Sequence, residues 1–92
     1  MKTITAISDP GHGWAKVKRG ELVKLGIIGE ISYYSYQRGE YVYLEEDCDL
    51  SKYIAALGYR PNFRQSVCRN RQSRVRGYDR FCPRVDQSGV LS

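Results

Sequence analysis

A chain of 92 residues with 41% hydrophobic content is long enough for one modest core and too apolar to be disordered throughout. The net charge of +5 points to an anionic partner or an acidic protein surface, and three cysteines in no close pair argue against a disulfide scaffold. No run approaches the ~20 apolar residues of a membrane span, and the first seven residues lack the apolar heart of a signal peptide, so an intracellular protein with reduced thiols is expected.

In chain order, the β-branched run Thr3 to Ile7 predicts a first strand, and Asp9-Pro10-Gly11-His12-Gly13 a tight turn. Trp14 to Lys18 alternates as a second strand, and Gly20 to Leu25 reads as a short helix stopped by Gly26. Ile31 to Tyr36 and Tyr41 to Glu45 flank Gln37-Arg38-Gly39-Glu40, which predicts a β-hairpin. Leu50, Tyr53, Ile54 and Leu57 recur at i, i+3, i+4 and i+7, one apolar stripe of a second helix. Asp47 and Asp49 stand at its positive end, and Gly58 and Pro61 close it. Beyond Pro61, alternation over Phe63 to Val67 and over Arg74 to Tyr78 fits two strands joined near Asn70-Arg71-Gln72, which would put Arg74 and Arg76 on one face; a frayed basic segment fits almost as well. The expected fold is α+β: one small domain over residues 1–85, an antiparallel sheet with two short helices on one face in the order β-β-α-β-β-α-β-β, and a loose tail at 86–92.

Charge is unevenly placed. Residues 1–58 carry seven Lys and Arg against eight Asp and Glu, whereas residues 59–92 carry eight Arg, no Lys and two Asp. Arg69, Arg71, Arg74, Arg76, Arg80 and Arg84 have only Asp79 nearby to neutralise them. Guanidinium offers a planar fork for phosphate or carboxylate where ammonium is a point charge. A solvated basic surface is the plain alternative. Confining like charges to one segment costs stability, and an anionic partner would offset that cost.

Other groupings carry less. His12 with the run Glu45-Glu46-Asp47-Cys48-Asp49 has the atoms for a divalent metal, but four carboxylates in five residues cannot all point one way, and helix capping with a solvated strand end accounts for them. Gly11-His12-Gly13 is no phosphate loop, lacking the following Gly-Lys-Ser/Thr. No motif spacing ties His12 to a nucleophile. Cys48, Cys68, Cys82 and His12 lack the close ligand pairs of structural zinc. Neither a catalytic residue nor a metal or other cofactor is therefore assigned. The tyrosines of Tyr33-Tyr34-Ser35-Tyr36 and Tyr41-Val42-Tyr43 must divide between the sheet faces, one set under the helices, the other a stripe able to stack on bases or anchor in a protein. The candidate partner-binding and RNA-binding residues are thus Arg69, Arg71, Arg74, Arg76 and Arg80 with Tyr33, Tyr34, Tyr36, Tyr41 and Tyr43.

Asp9 to Trp14, then Tyr34-Ser35-Tyr36 and Val42 to Asp49, then Asn70 to Tyr78 resemble a family of small phage and prophage proteins over residues 8–81, and more narrowly the phage-encoded type I-F anti-CRISPR group. That resemblance implies a non-enzymatic inhibitor acting in the cytoplasm of an infected bacterium. It would bind the Cas subunits and guide RNA of a type I-F Cascade (Csy) surveillance complex and block capture of target DNA. A mimic of DNA would be acidic and this chain is basic, so its arginines would meet guide RNA or acidic Cas surfaces. The competing expectation is a free-standing DNA- or RNA-binding phage regulator, although neither predicted helix is basic and no helix-turn-helix spacing is present.

Overall fold

The computed structural model describes residues 2–67 and 74–81. Among these, six strands and two helices follow the order β1 (Thr3–Ser8), β2 (Gly13–Lys18), α1 (Arg19–Lys24), β3 (Tyr36–Arg38), β4 (Tyr41–Glu45), α2 (Asp49–Leu57), β5 (Asn62–Val67) and β6 (Asp79–Arg80), with 3₁₀ turns at Ile28–Glu30 and Arg74–Gly77. The strands form one sheet in the order β5-β1-β2-β4-β3-β6, an α+β arrangement. Four of its five pairings are antiparallel, and β1 and β5 run parallel. The expected α+β fold with an antiparallel sheet and two helices is thus present, and the parallel β1–β5 pair is its one departure among the described strands. The chain leaving α2 returns on the far side of β1, where the Asn62 amide donates to the Lys2 carbonyl at 2.9 Å, so β5 enters in the direction of β1.

Register divides the sheet into two faces, because side chains repeat every second residue. Ile4, Ala15, Val17, Val42 and Leu44 lie on one face and pack with Leu22 of α1 and Tyr53 of α2. Trp14 and Tyr43 stand opposite Glu45 and Lys16 on the other face, beside Tyr36. This second face is covered by Val75 of the Arg74–Gly77 turn. The sheet therefore has two cores.

Local chemistry accounts for most boundaries. Gly58 takes φ +83° as the left-handed stop of α2, and its amide donates to the Ile54 carbonyl. Gly39 takes φ +59° in the two-residue loop between Arg38 and Tyr41, a conformation open to glycine. The loop is shorter than predicted, since Gln37 and Arg38 pair with Val42 and Tyr41. Residues 31–35 are not strand, contrary to expectation. They wrap around the Asp49 carboxylate, which accepts from the Ser32 amide at 3.1 Å, from the Ser32 hydroxyl at 2.7 Å and from the Ser35 hydroxyl. Ser35 in turn accepts from the Glu45 amide at 3.0 Å, fastening the loop to β4. The predicted strand over Arg74 to Tyr78 is also corrected: Arg74–Gly77 is a 3₁₀ turn, and only Asp79–Arg80 pairs, with β3 at the opposite edge from β5. The loop near Asn70-Arg71-Gln72, Arg69 and the 86–92 tail lie outside the described residues.

Asp49 is fully buried at the first turn of α2. Burial alone would push its carboxyl up; the bonds from Ser35, Ser32 and Lys52 outweigh that and hold it below the ordinary 3.8. A carboxylate depressed in the folded state adds stability that is complete above its unfolded value and fades as pH falls through the folded one. Asp49→Asn is expected to lower the unfolding free energy by about 2–3 kcal/mol at neutral pH. In urea titrations between neutral pH and about pH 3, it should also flatten the acid limb of the stability curve. A variant whose stability falls with acid as steeply as the native chain would refute this role.

Candidate functional site

The candidate face begins with the turn between β1 and β2. Asp9 has no accessible side-chain surface, and its Oδ1 accepts from the Gly11 and His12 amides at 2.9 and 3.0 Å. Its own amide donates to the His12 carbonyl at 2.9 Å. This Asx-type turn sets His12 at the head of β2. The same carboxylate receives a two-pronged bond from Arg76, Nε to Oδ2 at 2.6 Å and Nη2 to Oδ1 at 2.9 Å. Asp9 raises the Arg76 pKa further, and the guanidinium stays charged.

Gly11 makes this approach possible. A Cβ there would stand 2.7 Å from Arg76 Nη2. The Arg76 guanidinium also lies over the Trp14 ring, 5.4 Å from its centre, and Trp14 meets Tyr36 edge-on at 6.0 Å. Arg80 sits over Tyr36 at 4.5 Å, with Nη1 toward the Tyr33 and Tyr34 carbonyls at 3.4 and 3.5 Å. A row of cations over aromatic faces therefore runs along this side of the sheet, completed by Arg38 over Tyr78 at 5.1 Å and Lys16 over Tyr41 at 4.2 Å.

Trp14, Tyr34, Tyr36, Arg76 and Arg80 wall a cleft of about 400 Å³ together with His12, Glu45, Asp47 and Cys48. The ligand atoms of His12, Glu45 and Asp47 all lie within 4.8 Å of one another. Glu46 and Asp49 point elsewhere, Glu46 against Gly13 and Asp49 into the serine loop. The cleft thus combines three aromatic rings with two guanidinium groups, an imidazole and two carboxylates.

The predicted site residues divide sharply. Tyr33 and Tyr34 are exposed, 66% and 58%, and meet edge-on at 5.2 Å. Tyr36 and Tyr43 are buried in the second core and Tyr41 is half-buried against it. Burial and the neighbouring Tyr78 phenol push Tyr43 up, as expected of a packed tyrosine. Neither hairpin set lies under the helices as anticipated; Tyr53 takes that place. Arg76 and Arg80 come together at the cleft. Arg74 opens the 3₁₀ turn, and Arg69 and Arg71 lie outside the described residues. Cys48 is a half-buried free thiol; Cys68 and Cys82 lie outside the described residues. Sequence reasoning passed over Asp9 and Trp14. The signal available was the Asp-Pro-Gly turn, whose first carboxylate is suited to bond the amides that follow.

Asp9→Ala is expected to cost about 2 kcal/mol of stability in urea melts. Arg76→Ala should cost less, since the two amide bonds to Asp9 persist. Gly11→Ala should destabilise the native chain yet have a clearly smaller effect in an Arg76→Ala background, because the contact it violates is with Arg76. Additive effects of Gly11→Ala and Arg76→Ala would contradict the arrangement.

No described helix is long and apolar enough to cross a membrane. No protein-family model, curated protein or solved structure matches the chain, so the fold and the geometry of this face are the ground on which function is argued.

Proposed function

We propose that this chain is a non-catalytic phage inhibitor that binds a type I-F Cascade (Csy) surveillance complex in the host cytoplasm and keeps target DNA from it. The observation that carries the reading is the exposed Tyr33–Tyr34 pair, whose carbonyls the exposed Arg80 side chain reaches, with Arg38 exposed two residues beyond Tyr36 on the same strand. Tyrosine beside arginine is the composition of an interface hot spot: apolar area with little rotamer entropy, next to a fork that fits phosphate or carboxylate. Such a patch suits a guide-RNA backbone with an unstacked base, or an acidic Cas surface.

Two features of the face agree with a binder. β6 is two residues long, so the edge that carries Arg80 offers little backbone for uncontrolled strand addition and leaves recognition to side chains. Arg60 and Arg64, at the opposite edge, are exposed as well, which spreads positive potential along the molecule and favours approach to a polyanion.

Co-purification with a type I-F complex, followed by a target-DNA binding assay, tests the proposal. The native chain should co-elute and abolish DNA capture. The pair Arg38→Glu with Arg80→Glu, and separately Tyr33→Ala with Tyr34→Ala, should each weaken association by about tenfold or more while leaving the far-UV spectrum unchanged. Failure to co-elute, or co-elution with unimpaired DNA capture, would overturn it. A gel shift with plain duplex or single strand that weakens steeply as salt rises, with a slope implying several released counterions, would instead support a free-standing nucleic-acid regulator.

A further inference from the structure

We propose that the outer edge of β5 joins two copies of this chain, strand to strand and antiparallel, about a two-fold axis at Gln65. This inference does not rest on the inhibitor reading. β5 is six residues long and stands last in the sheet, with β1 on one side and no described strand on the other. Asn62, Arg64, Gln65, Ser66 and Val67 are all exposed, Val67 by 55%. The described chain leaves and re-enters at one end of this strand: Val67 pairs with Ser8, and Arg76 bonds the neighbouring Asp9. Every second residue of β5 turns its amide and carbonyl away from β1, a row open to a further strand.

The devices that usually protect an edge are few here. Register with β1 runs one to one from Thr3 and Asn62 to Ser8 and Val67, so no bulge turns the strand aside. No proline lies within it, and Arg64 is its single charge. The opposite edge differs, since β6 is two residues long. The sheet thus has one blunted edge and one that is long, regular and singly charged.

A second copy fits this edge because the strand is complementary to itself. Residues opposed across an antiparallel pair share a sheet face, so the axis passes at a residue and not between two. Phe63, Gln65 and Val67 lie on the helix side, in register with Ile4, Ala6 and Ser8. With the axis at Gln65, Phe63 of each copy meets Val67 of the other, Gln65 meets Gln65, and Arg64 meets Ser66. An aromatic ring against a β-branched side chain is a favourable cross-strand pair, and it covers the exposed Val67. Two facing carboxamides can each donate and accept. Moving the axis to Arg64 would set two guanidinium groups face to face, and moving it to Ser66 would lose the Phe63 contact. The axis is normal to the sheet, so both copies turn the Trp14 face to the same side, with the Arg80 edges outermost.

Sedimentation of the purified chain from about 1 µM to 1 mM tests this. The average mass should rise from one chain toward two and stop there, with a micromolar dissociation constant, as suits a small interface. Hydrogen exchange over residues 62–67 should slow across the same range. Gln65→Glu and Gln65→Lys, at an exposed position on the axis, should each weaken dimerisation at least about tenfold, because like charges then face each other. An equimolar mixture of the two should dimerise at least as well as the native chain. Tyr33→Ala with Tyr34→Ala should leave dimerisation unchanged. A mass of one chain at every concentration would end the proposal, as would assembly that continues beyond two. So would a dimer that survives both Gln65 variants, or one that is lost with the tyrosine pair. None of these readouts involves a surveillance complex, so the dimer and the inhibitor reading stand or fall separately.

Discussion

The bidentate pair between Asp9 and Arg76 is the contact on which the second face of this protein depends. Asp9 is buried in the turn between the first two strands, where its carboxylate needs donors, and two amides of the turn supply only part of them. Arg76 completes the set from a segment 67 residues away. It thereby fixes the 3₁₀ turn that lays Val75 over Trp14, Tyr36 and Tyr43. Lysine would not do the same: an ammonium makes no planar fork and stacks less well on an indole ring. One arginine of the basic C-terminal part is thus a structural residue, and the charge it contributes is already answered.

A second buried carboxylate organises the opposite side. Asp49 draws Ser32 and Ser35 around the start of α2, and Ser35 passes the connection to β4 through the Glu45 amide. The helix-side core and the aromatic core consequently meet along β4. Val42 and Leu44 face the helices, while on the other face Tyr43 joins the aromatic core and Glu45 lines the cleft. Tyr33 and Tyr34 sit outside both cores because the loop that carries them is curled around Asp49 rather than laid into the sheet. Their exposure is a consequence of how a carboxylate is satisfied, and it leaves an exposed aromatic pair whose carbonyls Arg80 reaches.

Much of the local order is written in short stretches. The Leu50, Tyr53, Ile54, Leu57 stripe with Gly58, the alternation of Trp14 to Lys18, the glycine of the Arg38–Tyr41 loop and the concentration of arginine past residue 59 are all legible in the chain. Each depends on backbone preference and side-chain period within about one or two turns. The same logic misassigned residues 31–35, where strand propensity lost to hydrogen bonding with Asp49, and Arg74–Gly77, where alternation lost to the anchoring of Arg76 and the burial of Val75.

By itself, then, the sequence determined an α+β domain with two short helices, a Gly39 hairpin and a basic C-terminal part, because those follow from periodicity, turn chemistry and charge. The tertiary structure alone decided that β5 runs parallel to β1, that Tyr36 and Tyr43 are core while Tyr33 and Tyr34 are surface, that Arg76 belongs to Asp9, and that His12 meets Glu45 and Asp47. Each of these is a contact between segments far apart in the chain, settled by which buried polar group finds a partner and which apolar face finds cover.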